Sequence, residues 1–316
     1  MFIGSCNGIF RALERATGRV RWATPVAPDS GKYFFHGDPL ITPDVVVIGS
    51  DPATGGVHAF ERSTGRQRWK YAAGHGVAGA IAGLGRLAYA IRLDGQLLAL
   101  DIDSGAIKWS FPIDVWGWLG PAAAAGRVFV GGRDGSLYAL NAETGRVEWR
   151  THLSGPISTS VRASETGLYV GTGDGVVFRV DARDGTVLAS RKVDEKLRPR
   201  SDLVPSGDSL LVLLADEQEA YQALVSIDLA LTGIRWREAA RGPWSTTRVF
   251  VWGETAVVGT PSGEVVGYCV ADGRRAWSRT ISGTVRAIGG AEDALYVSTT
   301  EGGLYALGPV GSCSAK

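Results

Sequence analysis

The side chains best equipped for chemistry in this 316-residue chain are four histidines and three cysteines: His36, His58, His75, His152, Cys6, Cys269 and Cys313. The histidines show no H-E-x-x-H spacing and no G-x-S-x-G elbow accompanies them, so the patterns of zinc and serine hydrolases are missing. The cysteines form no C-x-x-C pair, which removes the usual ground for a zinc site or a dithiol redox centre. Free thiols are the plain expectation, and a Cys6–Cys313 bridge between residues near the two ends is the alternative. "DIDSG" (101–105) has the carboxylates of a calcium loop but lacks its bidentate Glu at position 12. "GVAGAIAGLG" (76–85) is glycine-rich but has no Lys-Ser/Thr ending to hold a phosphate. An acid–base pair drawn from separate loops stays open, with enzymatic activity the less expected outcome.

Recognition chemistry is better represented. "GKYFFHGD" (31–38) brings together Tyr33, Phe34, Phe35 and His36; "DVWGWLG" (114–120) carries Trp116 and Trp118; "RGPWSTT" (242–248) carries Trp244. Exposed Trp and Tyr are enriched among the residues that dominate binding energy. His75, Arg92, Arg133 and Arg200 stand in segments that read as turns or connections. Together these are the candidate residues for binding a partner or ligand. The plainer role for the aromatic ones is to plug a channel or cap a sheet.

Composition narrows the partner. Lys and Arg number 33 against 32 Asp and Glu, so the chain lacks the basic footprint of a nucleic-acid binder. No run of about 18 apolar residues is present to span a membrane as a helix. Residues 1–13, "MFIGSCNGIFRAL", lack the basic start and long apolar run of a signal peptide. Met1 nevertheless opens inside an apolar strand-like run, so a strand and a leader upstream of it are expected.

The elements that must position these residues are announced by a repeat. Glycines recur at Gly18, Gly65, Gly105, Gly145, Gly185, Gly233 and Gly273, at intervals of 47, 40, 40, 40, 48 and 40 residues. A tryptophan follows four residues after the glycine at Trp22, Trp69, Trp109, Trp149 and Trp277. Ala189 replaces it in the fifth copy, and in the sixth the glycine slips by one while Asp228 and Trp236 keep the spacing of Asn141 and Trp149. Before each motif lies a hairpin pattern of two apolar runs about a glycine turn, near residues 1–14, 45–61, 86–101, 127–141, 167–181, 209–228, 255–270 and 294–307. A short inner strand precedes each hairpin except the first, and an outer strand such as "GRVEW" follows each except the last. Four strands per roughly 40 residues is the signature of a β-propeller blade. The expectation is therefore one all-β domain over residues 1–316. It is an eight-bladed β-propeller of four-stranded antiparallel blades with the two end blades incomplete; seven blades is the alternative. The acid or amide four before the glycine can accept backbone N–H bonds across the turn. The tryptophan would pack on the neighbouring blade, with the small Ala12, Ala59, Ala99 and Ala139 leaving it room.

The pattern resembles the tryptophan-docking motif of the pyrroloquinoline-quinone (PQQ) type propellers. It stands here as Ala12/Glu14/Thr17/Gly18/Trp22, Ala59/Glu61/Thr64/Gly65/Trp69, Ala99/Asp101/Gly105/Trp109 and Ala139/Asn141/Thr144/Gly145/Trp149. The resemblance implies an extracytoplasmic setting. It is compatible with quinoprotein dehydrogenases, which use the quinone with calcium, and with non-catalytic scaffolds, outer-membrane assembly lipoproteins and sensor domains. The adjacent cysteine pair that those enzymes set against the cofactor is missing from this sequence. No cofactor is therefore expected, with PQQ and calcium disfavoured, and the expected role is a non-catalytic protein-interaction scaffold or sensor domain. The alternatives are a propeller binding a quinone-like or carbohydrate ligand, or a remnant quinoprotein oxidoreductase. The expected partner is a protein or peptide on the aromatic-rich face that carries both the hairpin turns and the outer-to-inner connections.

Overall fold

The structure, a computed structural model, describes all residues except 5–7, 27–34, 52–54, 73, 117, 201, 219–221, 240–243, 245–247, 292, 309–312 and 314–316. Every regular element among the described residues is a β-strand. The strands form eight antiparallel sheets, so the fold is an eight-bladed β-propeller, and the seven-bladed alternative falls away. Contacts divide the chain into two compact units, Met1–Leu153 and Ser154–Lys316.

The first unit holds four blades. Blade one has three described strands, Phe2–Gly4, Ile9–Leu13 and Val20–Pro25. Blade two comprises Leu40–Ile41, Val45–Ser50, Gly56–Glu61 and Gln67–Ala72; blade three Ala82–Leu84, Leu87–Arg92, Gln96–Asp101 and Ile107–Pro112; blade four Ala122–Ala124, Arg127–Gly131, Ser136–Asn141 and Val147–His152. The second unit begins with blade five, Arg162–Ser164, Gly167–Gly171, Val176–Val180 and Val187–Lys192. Blade six departs from the expected four strands: Arg198–Pro199 and Val204–Ser206 both pair with Ser209–Ala215, ahead of Gln222–Asp228 and Ile234–Ala239. Blade seven is Phe250–Trp252, Thr255–Gly259, Glu264–Cys269 and Arg275–Thr280; blade eight has Val285–Ala291, Ala294–Thr299 and Leu304–Leu307.

The hydropathy of each strand follows from its place in the sheet. The two middle strands are covered on both faces and read as continuous apolar runs; Val45–Ser50 is buried at every residue. Outer strands alternate between half-buried and exposed positions, as in Gln67–Ala72.

A bulge recurs between the third and fourth strands. In blade three Ala99 pairs with Trp109 but Leu100 pairs with Ile107, so Lys108 is the extra residue. The same slip follows Ala12, Ala59, Ala139, Arg179, Ser226 and Gly267. It sets each tryptophan opposite a small side chain or glycine, as at Ala12–Trp22, Ala59–Trp69, Ser226–Trp236 and Gly267–Trp277.

The tryptophans then reach the next blade. The indole Nε1 of Trp22 donates to Arg62 O at 3.0 Å, Trp69 to Ile102 O at 2.8 Å and Trp109 to Ala142 O at 2.8 Å. In the second unit Trp236 donates to Val270 O at 2.7 Å. Each ring also covers the next turn's glycine: a Cβ on Gly105 would lie 2.5 Å from Trp69, and one on Gly273 2.7 Å from Trp236. The motif glycine is required both for this contact and for its left-handed φ, +72° at Gly105.

Blade five, which lacks the tryptophan, solves the problem differently. Ala189 faces Arg179, the reverse of the usual large–small order. The Tyr169 hydroxyl donates to Leu229 O at 2.7 Å, taking the carbonyl that an indole would use, and Arg191 Nε donates to Leu231 O at 2.9 Å. In that sixth-blade turn the left-handed residue is Leu231 (φ 62°) rather than Gly233. Its side chain is buried beside Tyr169 and Leu203 in the same apolar cluster, which holds it in that conformation.

The expectation for the cysteines needs correction. Cys269 and Cys313 form a disulfide with a Cα–Cα distance of 5.5 Å, so neither is a free thiol and Cys313 does not pair with Cys6. Cys6 lies outside the described residues.

Candidate functional site

The first unit gathers the candidates around the hairpin turns of blades three and four. Each turn is tied to the connection ahead of it: Leu93 N donates to Gly76 O at 2.8 Å, and Arg133 N to Asp114 O at 2.7 Å. Ile113 N closes the opposite side by donating to Gly95 O at 2.9 Å. Turns and outer-to-inner connections therefore share a face. Between them lies an open depression of about 510 Å³, lined by Leu93, Asp94, Gln96, Asp114, Val115 and Arg133 among others.

The charges here are paired within the site. Arg92 Nε donates to Asp94 Oδ1 at 2.8 Å and its Nη2 to the second carboxylate oxygen. That fork lowers the Asp94 pKa and raises that of Arg92. His75 Nε2 stands 3.6 Å from the same carboxylate. Arg133 Nη1 lies 3.8 Å from Asp114 Oδ1, and its guanidinium carbon sits 4.2 Å from the ring centre of Trp116. In the blade-four turn, burial would raise the Asp134 pKa, but hydrogen bonds from Ser136 and the charge of Arg150 leave it lowered.

His36 and Trp118 come from connections two blades apart, yet their rings meet edge to face at 5.4 Å. Glycines permit the approach. A Cβ on Gly37 would fall 2.0 Å from Gly79 O, and one on Gly79 would fall 2.3 Å from Leu119 O, so three successive blade entries pack backbone on backbone. His36 Nδ1 shares a 3.2 Å hydrogen bond with Asp51 Oδ2, which fixes the ring from the other side. Trp116 and Trp118 remain 44% and 64% exposed, although each is held by a neighbour.

The other candidates sit elsewhere. Tyr33 and Phe34 lie outside the described residues. Phe35 packs against Phe10 at 5.9 Å, joining the apolar cluster of blades one and two. Arg200 is exposed in the second unit and its N–H bonds Leu213 O at 3.1 Å. Trp244 is buried in the second unit, in the apolar cluster that blades six and seven share with Leu213, Trp236 and Val258, and its backbone N–H donates to Gln222 Oε1 at 2.7 Å. Asp51 and Asp114 were not among the candidates. Their only signal is their place next to a turn and within the Trp116–Trp118 segment.

One pair has the spacing of a nucleophile and base. Ser50 Oγ lies 2.8 Å from His58 Nε2, but both residues are fully buried. Burial, with a smaller contribution from Lys70, lowers the His58 pKa to about 3, far below the value suited to a base near neutrality. The pair serves packing and turn closure, with Ser50 Oγ accepting from Gly56 N at 3.2 Å. Among the described residues no group of three or more His, Cys, Asp or Glu could hold a metal ion. No helix among them is long and apolar enough to cross a membrane.

A family model described as outer membrane protein assembly factor BamB matches residues 7–114 and 114–309. The chain belongs to this BamB-like family of PQQ-type propellers. Among solved structures, BamB from Moraxella catarrhalis superposes with a TM-score of 0.79 at 20% identity, covering 96% of this chain and 92% of that one. The computationally designed Ika8 protein gives 0.77 at 14% identity, covering 98% and 92%. The quinohemoprotein alcohol dehydrogenase from Comamonas testosteroni gives 0.70 at 12% identity, covering 94% of this chain and 68% of the enzyme. These likenesses establish the BamB-like fold. A search of curated proteins found no match.

Proposed function

We propose that this chain is a non-catalytic interaction scaffold that docks a protein segment on the turn face of blades two to four. The observation that supports this most directly is the pair Trp116 and Trp118, exposed to 44% and 64% yet braced by Arg133 and His36. Aromatic side chains whose positions are set before binding lose little entropy on contact and make strong anchors. Asp114, with its side chain 74% exposed, adds a carboxylate at the rim for a cationic group of the partner. The family description, an outer membrane protein assembly factor, agrees with a protein partner in an extracytoplasmic setting. No cofactor is assigned.

Photo-cross-linking in the native cell tests the proposal. A cross-linker in place of Trp118 should capture a defined partner, Arg133→Ala should reduce the yield, and a cross-linker at Val147 on an outer strand should capture none. Equal capture from both positions would sink it. A small quinone-like or carbohydrate ligand in the same depression is the second reading, favoured by the tryptophan beside a recess of about 510 Å³. It requires that tryptophan emission be quenched when such a compound is titrated, PQQ with calcium included.

A further inference from the structure

Six repeats carry an acid or amide ahead of the turn between their third and fourth strands: Glu14, Glu61, Asp101, Asn141, Asp181 and Asp228. These side chains hold the turn. Asp101 Oδ1 accepts from Ser104 N at 3.0 Å, Asn141 Oδ1 from Thr144 N at 3.0 Å, and Glu61 accepts from Thr64 Oγ1 at 2.9 Å. Blade seven has Cys269 at this position, and a thiol is a poor substitute as an acceptor. The turn nevertheless keeps its backbone bonds. Gly273 N donates to Cys269 O at 2.9 Å, Cys269 N to Arg274 O at 2.8 Å, and Trp236 still docks on Val270 O. The sulfur is spare as far as the turn is concerned, and it is bonded to Cys313, 44 residues later. Arg274 Nη2 adds a second tie to the same residue, donating to Cys313 O at 3.1 Å.

We infer that the Cys269–Cys313 bridge is a redox modification site: a clamp that pins Cys313 to blade seven, forms in an oxidising compartment and opens to a dithiol reductant without unfolding the blade. Burial sets the direction of opening. Cys269 is 1% exposed, whereas Cys313 is only partly buried, so the attacking thiolate reaches the Cys313 sulfur. That attack forms a mixed disulfide with Cys313 and expels Cys269 as a thiolate, which takes a proton. The second thiol of the reductant then displaces Cys313, leaving two protein thiols and an oxidised, cyclic reductant. Two electrons pass from the dithiol to the bridge. An extracellular or periplasmic location would keep the clamp closed.

The test uses the full chain and a Cys6→Ser version, both matured in an oxidising compartment and purified without reductant. Peptide mapping should find a 269–313 cross-link in both. After dithiothreitol, iodoacetamide should label Cys313 before Cys269, the β-sheet circular dichroism at 25 °C should persist, and the melting temperature should fall. Cys313→Ser should melt at the reduced temperature and ignore dithiothreitol. Free thiols at both positions before reduction, a 6–313 cross-link, equal labelling rates, or collapse of the β-signal on reduction would each overturn the inference.

Discussion

The Tyr169 hydroxyl donates a 2.7 Å hydrogen bond to the carbonyl oxygen of Leu229, 60 residues along the chain. Leu229 follows Asp228 as Ile102 follows Asp101 and Ala142 follows Asn141. The carbonyl one residue past the turn's acid, amide or cysteine position is therefore a shared docking point, reached by an indole from blades one, two, three and six and by a phenol from blade five. With Ala189 at the tryptophan's place in the repeat, the donor differs and the acceptor is the same.

Tyr169→Phe should destabilise the protein by about 1–2 kcal/mol, since it removes the phenol from a partly buried carbonyl. Tyr89→Phe should cost less than about 1 kcal/mol, because Ala142 O also accepts from Trp109 at 2.8 Å while the Tyr89 bond is 3.1 Å long. Urea titrations of the two variants side by side decide this; equal losses would remove the special role of Tyr169.

Gly105→Ala should be worse than an ordinary turn substitution. The left-handed backbone costs an L-residue about 1–2 kcal/mol. Overlap of the new methyl with the Trp69 ring, 2.5 Å away, adds about 1–3 kcal/mol. Gly85→Ala has a comparable φ of +59° but nothing within 4 Å of the added carbon, so it isolates the backbone cost. Thermal melts should order the variants wild type, Gly85→Ala, Gly105→Ala.

Stability should decline with acid below neutrality through His58. Burial holds its folded pKa near 3 against the ordinary value of 6.5. The folded chain thus leaves the ring neutral where the unfolded chain takes up a proton. Stability is complete above pH 6.5 and is lost as the pH falls toward 3, with a slope reaching about 1.4 kcal/mol per pH unit. An NMR titration should find the His58 ring unprotonated at pH 5, and His58→Gln should flatten the stability profile in this window even if its absolute stability is lower.

Arg133→Ala should separate binding from folding. Its guanidinium covers an exposed ring, so global stability should change by no more than about 0.5–1 kcal/mol. If Trp116 is a binding anchor, affinity for the cross-linked partner should drop by more than about 1 kcal/mol. Chemical denaturation and a binding titration on the same preparation give both numbers, and a loss confined to stability would assign the pair to packing.

Blade architecture was readable because it is local. A run such as "VVVIGS" (45–50) specifies a strand covered on both faces, and Thr64-Gly65 specifies the turn that ends the next one. The aromatic candidates were legible only as residues the repeat does not need. That criterion selected Trp116 and Trp118, which are exposed, and equally Trp244, which is buried. Composition carries no information on which way a non-repeat tryptophan points. The bulge before each tryptophan was hidden too, because one extra residue in an outer strand leaves no mark on the apolar pattern.

By itself, the order of residues determined strands, turns, the repeat of four strands per blade and the need for a large ring near a small neighbour, since these follow from pleat, glycine backbone freedom and side-chain volume over a few residues; the sheets of the structure fixed the blade number at eight rather than seven. Tertiary structure alone decided which distant atoms meet: Tyr169 with Leu229, His36 with Trp118, and Cys269 with Cys313 rather than Cys6. The physical reason is that such contacts depend on how closely successive sheets approach. That distance is set jointly by many side chains and, at Gly37 and Gly79, by the lack of one.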